Sequence, residues 1–240
     1  MVYGQEGCWF TPRLWYTLKT FGQERVGLMQ GSLHDWEAAG GPVDRAPLEY
    51  YSVWAKDLLP SLEQRDGHDK LERLVDMEQV WEQLKMQTGI ADNNNNNSND
   101  RIQFFDTRGS ENFAKGHLPG ATSIPYSSLV QADNRLKFKS REEMKEILQA
   151  AGIQFLSSAN PEENGSPSAA TPAAPAPASA SSVSPPTSSI WLSCGSAVSV
   201  CHLALALEEC GYPPLKPWIY DGSWNEWGSD PNAPKSKSSV

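Results

Sequence analysis

The stretch "SSIWLSCGSAVSVCHLALALEECG", residues 188–211, decides the fold. An apolar run ends on Cys194, a loop of small uncharged residues follows, and an apolar stretch of helical length then runs to Gly211. Glycine is the residue type that closes helices. A strand that delivers a side chain into a tight loop and then a helix is the unit of open parallel α/β sheets, which bind ligands at the carboxyl ends of their strands. On residue type alone, Cys194 is a nucleophile, a metal ligand, half of a disulfide or a small core residue, since free cysteine is among the most buried types.

The chain has four cysteines, too few for a disulfide framework at this length, and a reducing compartment fits them better. None forms a C-x-x-C pair, the intervals Cys194–Cys201–Cys210 do not match zinc spacing, and His202 follows Cys201 too closely to share a metal easily. A metal site is not expected.

Working outward, the pattern around Cys194 occurs twice. The first copy reads Val2-Tyr3, a loop, "TPRLWYTLKTFG" ending at Gly22, "RVGLM", then "GSLHDW" ending at Trp36. The second reads "IWLS", a loop, "VCHLALALEECG", "PWIY", then "GSWNEW" ending at Trp227. Each predicts strand, loop, helix, capping glycine, strand, turn and a Trp-containing helix, a βαβα order that implies parallel strands. Only the second has a preamble. "RIQFFDTR", residues 101–108, reads as a buried strand, and "GHLPGATSIP" as a loop leading to a short strand at residues 122–124. "SREEMKEILQAAG" is a helix with a capping box from Ser140 to Glu143, and Asp76 caps "MEQVWEQLKMQTG". The first copy resembles the last half of a unit.

Two low-complexity segments interrupt this order. An Asn-rich loop occupies residues 92–100; residues 157–189 are rich in Ala, Pro and Ser, with Glu162 and Glu163 their only charges. Such a segment buries too little apolar surface to offset its ordering entropy and is expected to be a disordered insertion. The expected organisation is residues 1–45 as the C-terminal part of a first unit, 46–74 as a linker with helical potential over 48–62, 75–230 as a complete unit, and 231–240 as a disordered tail. The 39% hydrophobic content over 240 residues agrees with partial disorder, and the net charge of −9 argues against nucleic acid as the main partner. No apolar run approaches the ~20 residues that span a bilayer, so no membrane partner is expected. "MVYGQEGCWFTPRLWY" carries no export signal.

The loop has its own chemistry. Backbone N–H groups from Gly195, Ser196, Ala197, Val198, Ser199 and Val200, with a helix N-terminus behind them, form a nest that favours an anion and stabilises a charged sulfur. Phosphoryl chemistry needs an Arg to hold the oxygens, and no Arg or Lys lies between Cys194 and Lys216. A cysteine protease needs a paired His, and His202 reads better as a satisfied core or surface histidine. Cys8 reads as an ordinary loop thiol.

At this point "FFDTRGSENFAKGHLPGATSIP", "CGSAVSVCHLAL" and "IYDGSWNEW" resemble the rhodanese superfamily, in particular the second domain of tandem sulfurtransferases. The neutral Cys-Gly-Ser-x-Val loop is most similar to the mercaptopyruvate type. "TPRLWYTLKTFG" with "GSLHDWEAAGGPVD" resembles the end of the family's first, non-catalytic domain, with Gly4 where a Cys would stand. The resemblance implies a rhodanese-like parallel sheet flanked by helices, one truncated copy followed by one complete copy. It implies Cys194 as nucleophile, the loop from Gly195 to Val200 as its cradle, and sulfur transfer from 3-mercaptopyruvate or thiosulfate to a thiol acceptor such as thioredoxin. No cofactor is implied. Ser196 matches a loop hydroxyl held to assist the departing enolate or to shape the loop. Arg108, Asp106 and Asp221 are expected as substrate or structural support, and the compartment as cytoplasmic or mitochondrial.

The chain also departs from the family. Asn112 stands where a substrate-binding Arg is expected, and the segment bearing a second Arg is absent, leaving Lys115 as a nearby charge. Ala197 replaces a glycine, and a positive φ there costs about 1 kcal/mol. These departures support an alternative reading as a catalytically impaired binding or regulatory module.

Overall fold

A computed structural model describes residues 1–23, 25–45, 74–88, 102–155, 189–212 and 217–238. The first unit holds β1 (Val2–Gly4), α1 (Thr11–Thr20), β2 (Leu28–Ser32) and α2 (Leu33–Ala38). The second holds β3 (Leu74–Val75), α3 (Met77–Thr88), β4 (Gln103–Asp106), α4 (Ser110–Lys115), β5 (Thr122–Ser123), α5 (Arg141–Ala150), β6 (Ile190–Ser193), α6 (Val200–Glu209), β7 (Trp218–Tyr220) and α7 (Ser223–Trp227). β1 and β2 pair in parallel; β3-β7-β6-β4-β5 form a second, all-parallel sheet with β6 at its centre.

Local signals account for most of these elements. Ser140 Oγ accepts from Glu143 N–H while the Glu143 carboxylate accepts from Ser140 N–H, so α5 starts at the expected box. Asp76 and Gln79 exchange the same pair of bonds ahead of α3. Gly22, Gly152 and Gly211 take positive φ after α1, α5 and α6, where a Cβ would be strained. β6 is buried along its whole length, as the central strand of a sheet covered on both faces must be. Its register with β4 runs from Gln103↔Ile190 to Asp106↔Ser193.

Several expectations need correction. Residues 110–115, to which no element was assigned from the sequence, form α4. The linker expected over 46–74 ends one residue early, because Leu74 pairs with Ile219 in the sheet. The remainder of that linker, its helical potential, the Asn-rich loop and nearly all of the insertion lie outside the described residues. The tail from residue 231 is not free over its described part. Ser236 bridges His117, Trp227 Nε1 donates to the Pro234 carbonyl, and Ala233 is buried. A fully buried Trp227 requires an indole acceptor, and the tail supplies it.

The two units share one core. Val2 and Trp15 cluster with Leu203, Leu205 and Ile153 of the second unit. Polar contacts reinforce the junction: Lys19 pairs with Glu208 and Lys137 with Asp35. Lys137 first, then the Ser32 N–H, holds the Asp35 carboxyl well below the usual carboxylate range. The first unit also exposes Tyr3, Phe10, Leu14 and Phe21.

Candidate active site

The loop from Cys194 to Ser199 lies at the carboxyl end of the central strand, between the starts of α6 and α7. Cys194 is 2% exposed and Ala197 is fully buried, while Ser196 is exposed. Three hydrogen bonds from two elements hold the loop by its carbonyls. The N–H groups of Trp224 and Asn225, on α7, donate to the Cys194 and Gly195 carbonyls at 2.9 and 3.0 Å. From α1, Arg13 Nη1 donates to the Ala197 carbonyl at 2.8 Å. In a trans peptide the C=O and the following N–H point to opposite sides. With these carbonyls turned toward α7 and α1, the N–H groups of Gly195, Ser196 and Val198 face the other way. The amides of Gly195, Ser196, Val198 and Ser199 donate to no other described residue.

The expected nest is incomplete at one position. The N–H groups of Cys194 and Ala197 both donate to Ser223 Oγ at 3.2 Å, and that hydroxyl donates to the Tyr220 carbonyl at 2.8 Å. Ser223 is itself left-handed, with φ 53°, and Ala197 takes φ 52°, the conformation foreseen for a position that favours glycine. At the loop's far end, Ser199 Oγ and Thr107 Oγ1 share a buried hydrogen bond of 2.8 Å, tying the start of α6 to the end of β4.

The charged residues expected near the site separate into two pairs. Arg108 makes a forked contact with Asp106, with Nη2–Oδ2 at 2.7 Å, and donates from Nη2 to the Gly116 carbonyl. Its guanidinium lies over the Trp224 ring, 4.6 Å from the centroid. A Cβ on Gly116 would come within 2.7 Å of that ring, so glycine is required there. Arg108 and Asp106 thus form a buried ion pair that locks the end of β4 to the end of α4. Asp221 pairs with Arg13, not with Arg108. Asn112 and Lys115 are both exposed on α4.

His202 is fully buried against Tyr126 and Phe138, and neither ring nitrogen has a hydrogen-bond partner among the described residues. The expectation of a satisfied histidine is corrected. Burial pushes its pKa down to about 4, opposed in part by the Ser199 backbone, so the ring is neutral near pH 7. Cys201 is also fully buried, and burial pushes its thiol up to about 12, which keeps it protonated. In the first unit, a Cβ on Gly4 would lie 2.7 Å from Thr11 Oγ1. The equivalent strand end there has no room for a cysteine side chain.

Arg13, Ser223 and Thr107 were not foreseen as site residues. Ser223 had a signal, since it belongs to the repeated Gly-Ser-x-x-x-Trp motif. Arg13 had none, because it lies in the copy that lacks the cysteine.

A family profile for the rhodanese-like domain matches residues 90–230. The chain is 25% identical, over 98% of its length, to "Thiosulfate/3-mercaptopyruvate sulfurtransferase 1, mitochondrial" of Arabidopsis thaliana. It is 24% identical, over 92%, to the human 3-mercaptopyruvate sulfurtransferase. It covers 55% and 59% of those two relatives, so it spans a little over half their length. Among solved structures it is similar to SseA of Escherichia coli, described as a rhodanese fold, with a TM-score of 0.53, 20% identity and coverage of 92% of this chain and 65% of that one. It is also similar to an anaerobic ergothioneine biosynthesis enzyme of Chlorobium limicola, with a TM-score of 0.62, 15% identity, and coverage of 100% and 51%. The chain belongs to the rhodanese-like domain family. Among the described residues, no helix is long and apolar enough to cross a membrane.

Proposed function

We propose that the protein is a sulfurtransferase that moves a sulfur atom from 3-mercaptopyruvate, or thiosulfate, to a thiol acceptor of the thioredoxin kind through a persulfide on Cys194. Residues 75–230 form the catalytic unit in this reading, and residues 1–45 are the end of a non-catalytic one. The observation that carries it is the loop, which leaves four amides beside a strand-end cysteine without a partner among the described residues and offers no cationic side chain of its own. The Cys194 thiolate attacks the donor sulfur. With mercaptopyruvate the C–S bond breaks, its electron pair leaves as the enolate of pyruvate, and a proton completes the product. The amides of Gly195, Ser196, Val198 and Ser199 stabilise the charged sulfur. The acceptor thiolate then attacks the outer sulfur, takes it as a persulfide, and regenerates the Cys194 thiolate. Ser196, exposed on the loop, donates to the departing enolate.

Mass spectrometry after donor treatment is expected to show a gain of one sulfur on Cys194, absent in Cys194→Ser. Mercaptopyruvate is the preferred donor because the loop is neutral. Ser196→Ala is expected to lower turnover of mercaptopyruvate by about tenfold while sparing thiosulfate, which leaves no enolate. A strong preference for thiosulfate would overturn the assignment of the donor. The second reading, a binding module without turnover, draws on one observation: the Arg108 fork is already filled by Asp106 and Gly116. Absence of any sulfur gain on Cys194 with both donors would favour it.

A further inference from the structure

Ala197 is held from both sides. Its N–H is bonded to Ser223 Oγ, and its carbonyl to Arg13 Nη1 at 2.8 Å. Arg13 lies on α1, in the unit whose own strand end is closed by Gly4. Both its terminal nitrogens also reach Asp221 Oδ1 at 3.1 Å, and Asp221 directly follows β7. Asp221 therefore steers the guanidinium onto a carbonyl three residues beyond Cys194.

Fixing that carbonyl fixes more than one group. The Ala197–Val198 peptide is rigid and planar, so a carbonyl held toward α1 keeps the Val198 N–H turned away from it. The α7 amides act in the same way on Gly195 and Ser196, through backbone bonds that no side chain can withdraw. The third peptide differs, because its anchor is a side chain from another unit. It also adjoins the loop's left-handed residue, φ 52°, a conformation unfavourable for any residue with a Cβ. Cys201 Sγ also donates to this carbonyl, at a long 3.5 Å, so without Arg13 only that weak thiol bond, among the described residues, holds the peptide against rotation.

We propose that Arg13, oriented by Asp221, is a positioning residue of the sulfur-transfer site. It holds the Ala197 carbonyl so that the Val198 N–H faces the sulfur of Cys194. The unit that has no cysteine thus sets the donor strength of the loop that has one. The step served rests on the sulfur-transfer reading above, but the orientation of the amide can be tested without turnover.

The experiment compares wild type with Arg13→Gln, Arg13→Lys and Asp221→Asn, each checked for folding by circular dichroism and thermal unfolding. Alkylation of Cys194 by iodoacetamide is followed against pH by peptide mass mapping, and persulfide formation from mercaptopyruvate is followed in single turnovers. Arg13→Gln is expected to raise the midpoint of alkylation by about one pH unit. It is also expected to slow persulfide formation by about tenfold, with KM changed less than the maximal rate. Arg13→Lys restores part of both, because an ammonium still donates to the carbonyl; Asp221→Asn falls between. If all three fold and keep the wild-type midpoint and rate, while wild type takes up sulfur, the positioning role is wrong and sulfur transfer stands. If the midpoint shifts but wild type takes no sulfur from either donor, the sulfur-transfer reading is wrong and the positioning of the loop stands. Should Arg13→Gln not fold, Asp221→Asn, which leaves the arginine in place, carries the same comparison.

Discussion

His202 and Ala197 are unfavourable residues held in place by their surroundings. An imidazole with no partner, fully buried on α6, is neutral in the fold and titrates freely once unfolded. Its folded pKa, about 4, lies below the unfolded value of 6.5. Between those values the unfolded chain binds more protons, so the fold is destabilised as pH falls and nothing changes above about pH 7.5. The expected loss is about 2 kcal/mol between pH 7.5 and pH 5. Urea titrations at the two pH values measure it, and His202→Met should remove most of the difference. An equal acid loss in the variant would place the proton uptake elsewhere. Ala197 is different, because its conformational cost is offset by Ser223 and Arg13, which hold its two sides. Strain of this kind concentrates at functional sites.

At the scale of elements, the lock formed by Arg108 joins β4, the end of α4 and α7. Removing its cation leaves Asp106, which is fully buried, without its charged partner. Arg108→Met is expected to cost about 3–5 kcal/mol, read from denaturant unfolding. A loss below about 1 kcal/mol would show that the pair is dispensable. This junction also shows how far the sequence could be read. The strand-loop-helix order, the Ser140 box and the glycine caps were legible because each rests on contacts within a few residues, and the parallel pairing because the βαβα order dictates it although the paired residues lie far apart in the chain. The two Gly-Ser-x-x-x-Trp segments were legible as a repeat but not in their separate uses. Ser32 caps α2 in extended backbone, and Trp36 stays partly exposed, whereas Ser223 is left-handed and accepts two amides from the Cys194 loop. No local signal separates the two, since the difference lies in what each segment packs against. α4 was missed for a related reason. It is one short turn-and-a-half, held by tertiary contacts rather than by caps, and its N-terminal residue Gly109 supplies no side-chain bond.

For the whole molecule, the shared core and the Arg13 contact mean that the two units are not independent. The order β3-β7-β6-β4-β5 carries a further consequence, for the time course of folding. β6 is the centre of the sheet, yet residues 156–188 stand between it and α5 in the chain. β6 must find β4 across that separation before β7, and then β3, has anywhere to pair. The nucleus of the larger sheet therefore waits on closing the long stretch of chain between β4 and β6, and the segment acts as a delay on assembly rather than on chemistry. It joins β6 at the amino end, one strand length from Cys194. Replacing residues 156–188 with a Gly/Ser connector a quarter as long is expected to lower the cost of closing the β4–β6 loop by ~0.3 kcal/mol. Stopped-flow refolding should then run roughly 1.5- to 2-fold faster if β4 and β6 pair in the transition state, with persulfide formation on Cys194 unchanged. An unaltered refolding rate would mean that the central pair forms after the barrier, and that the order in which this sheet grows is set from its edges.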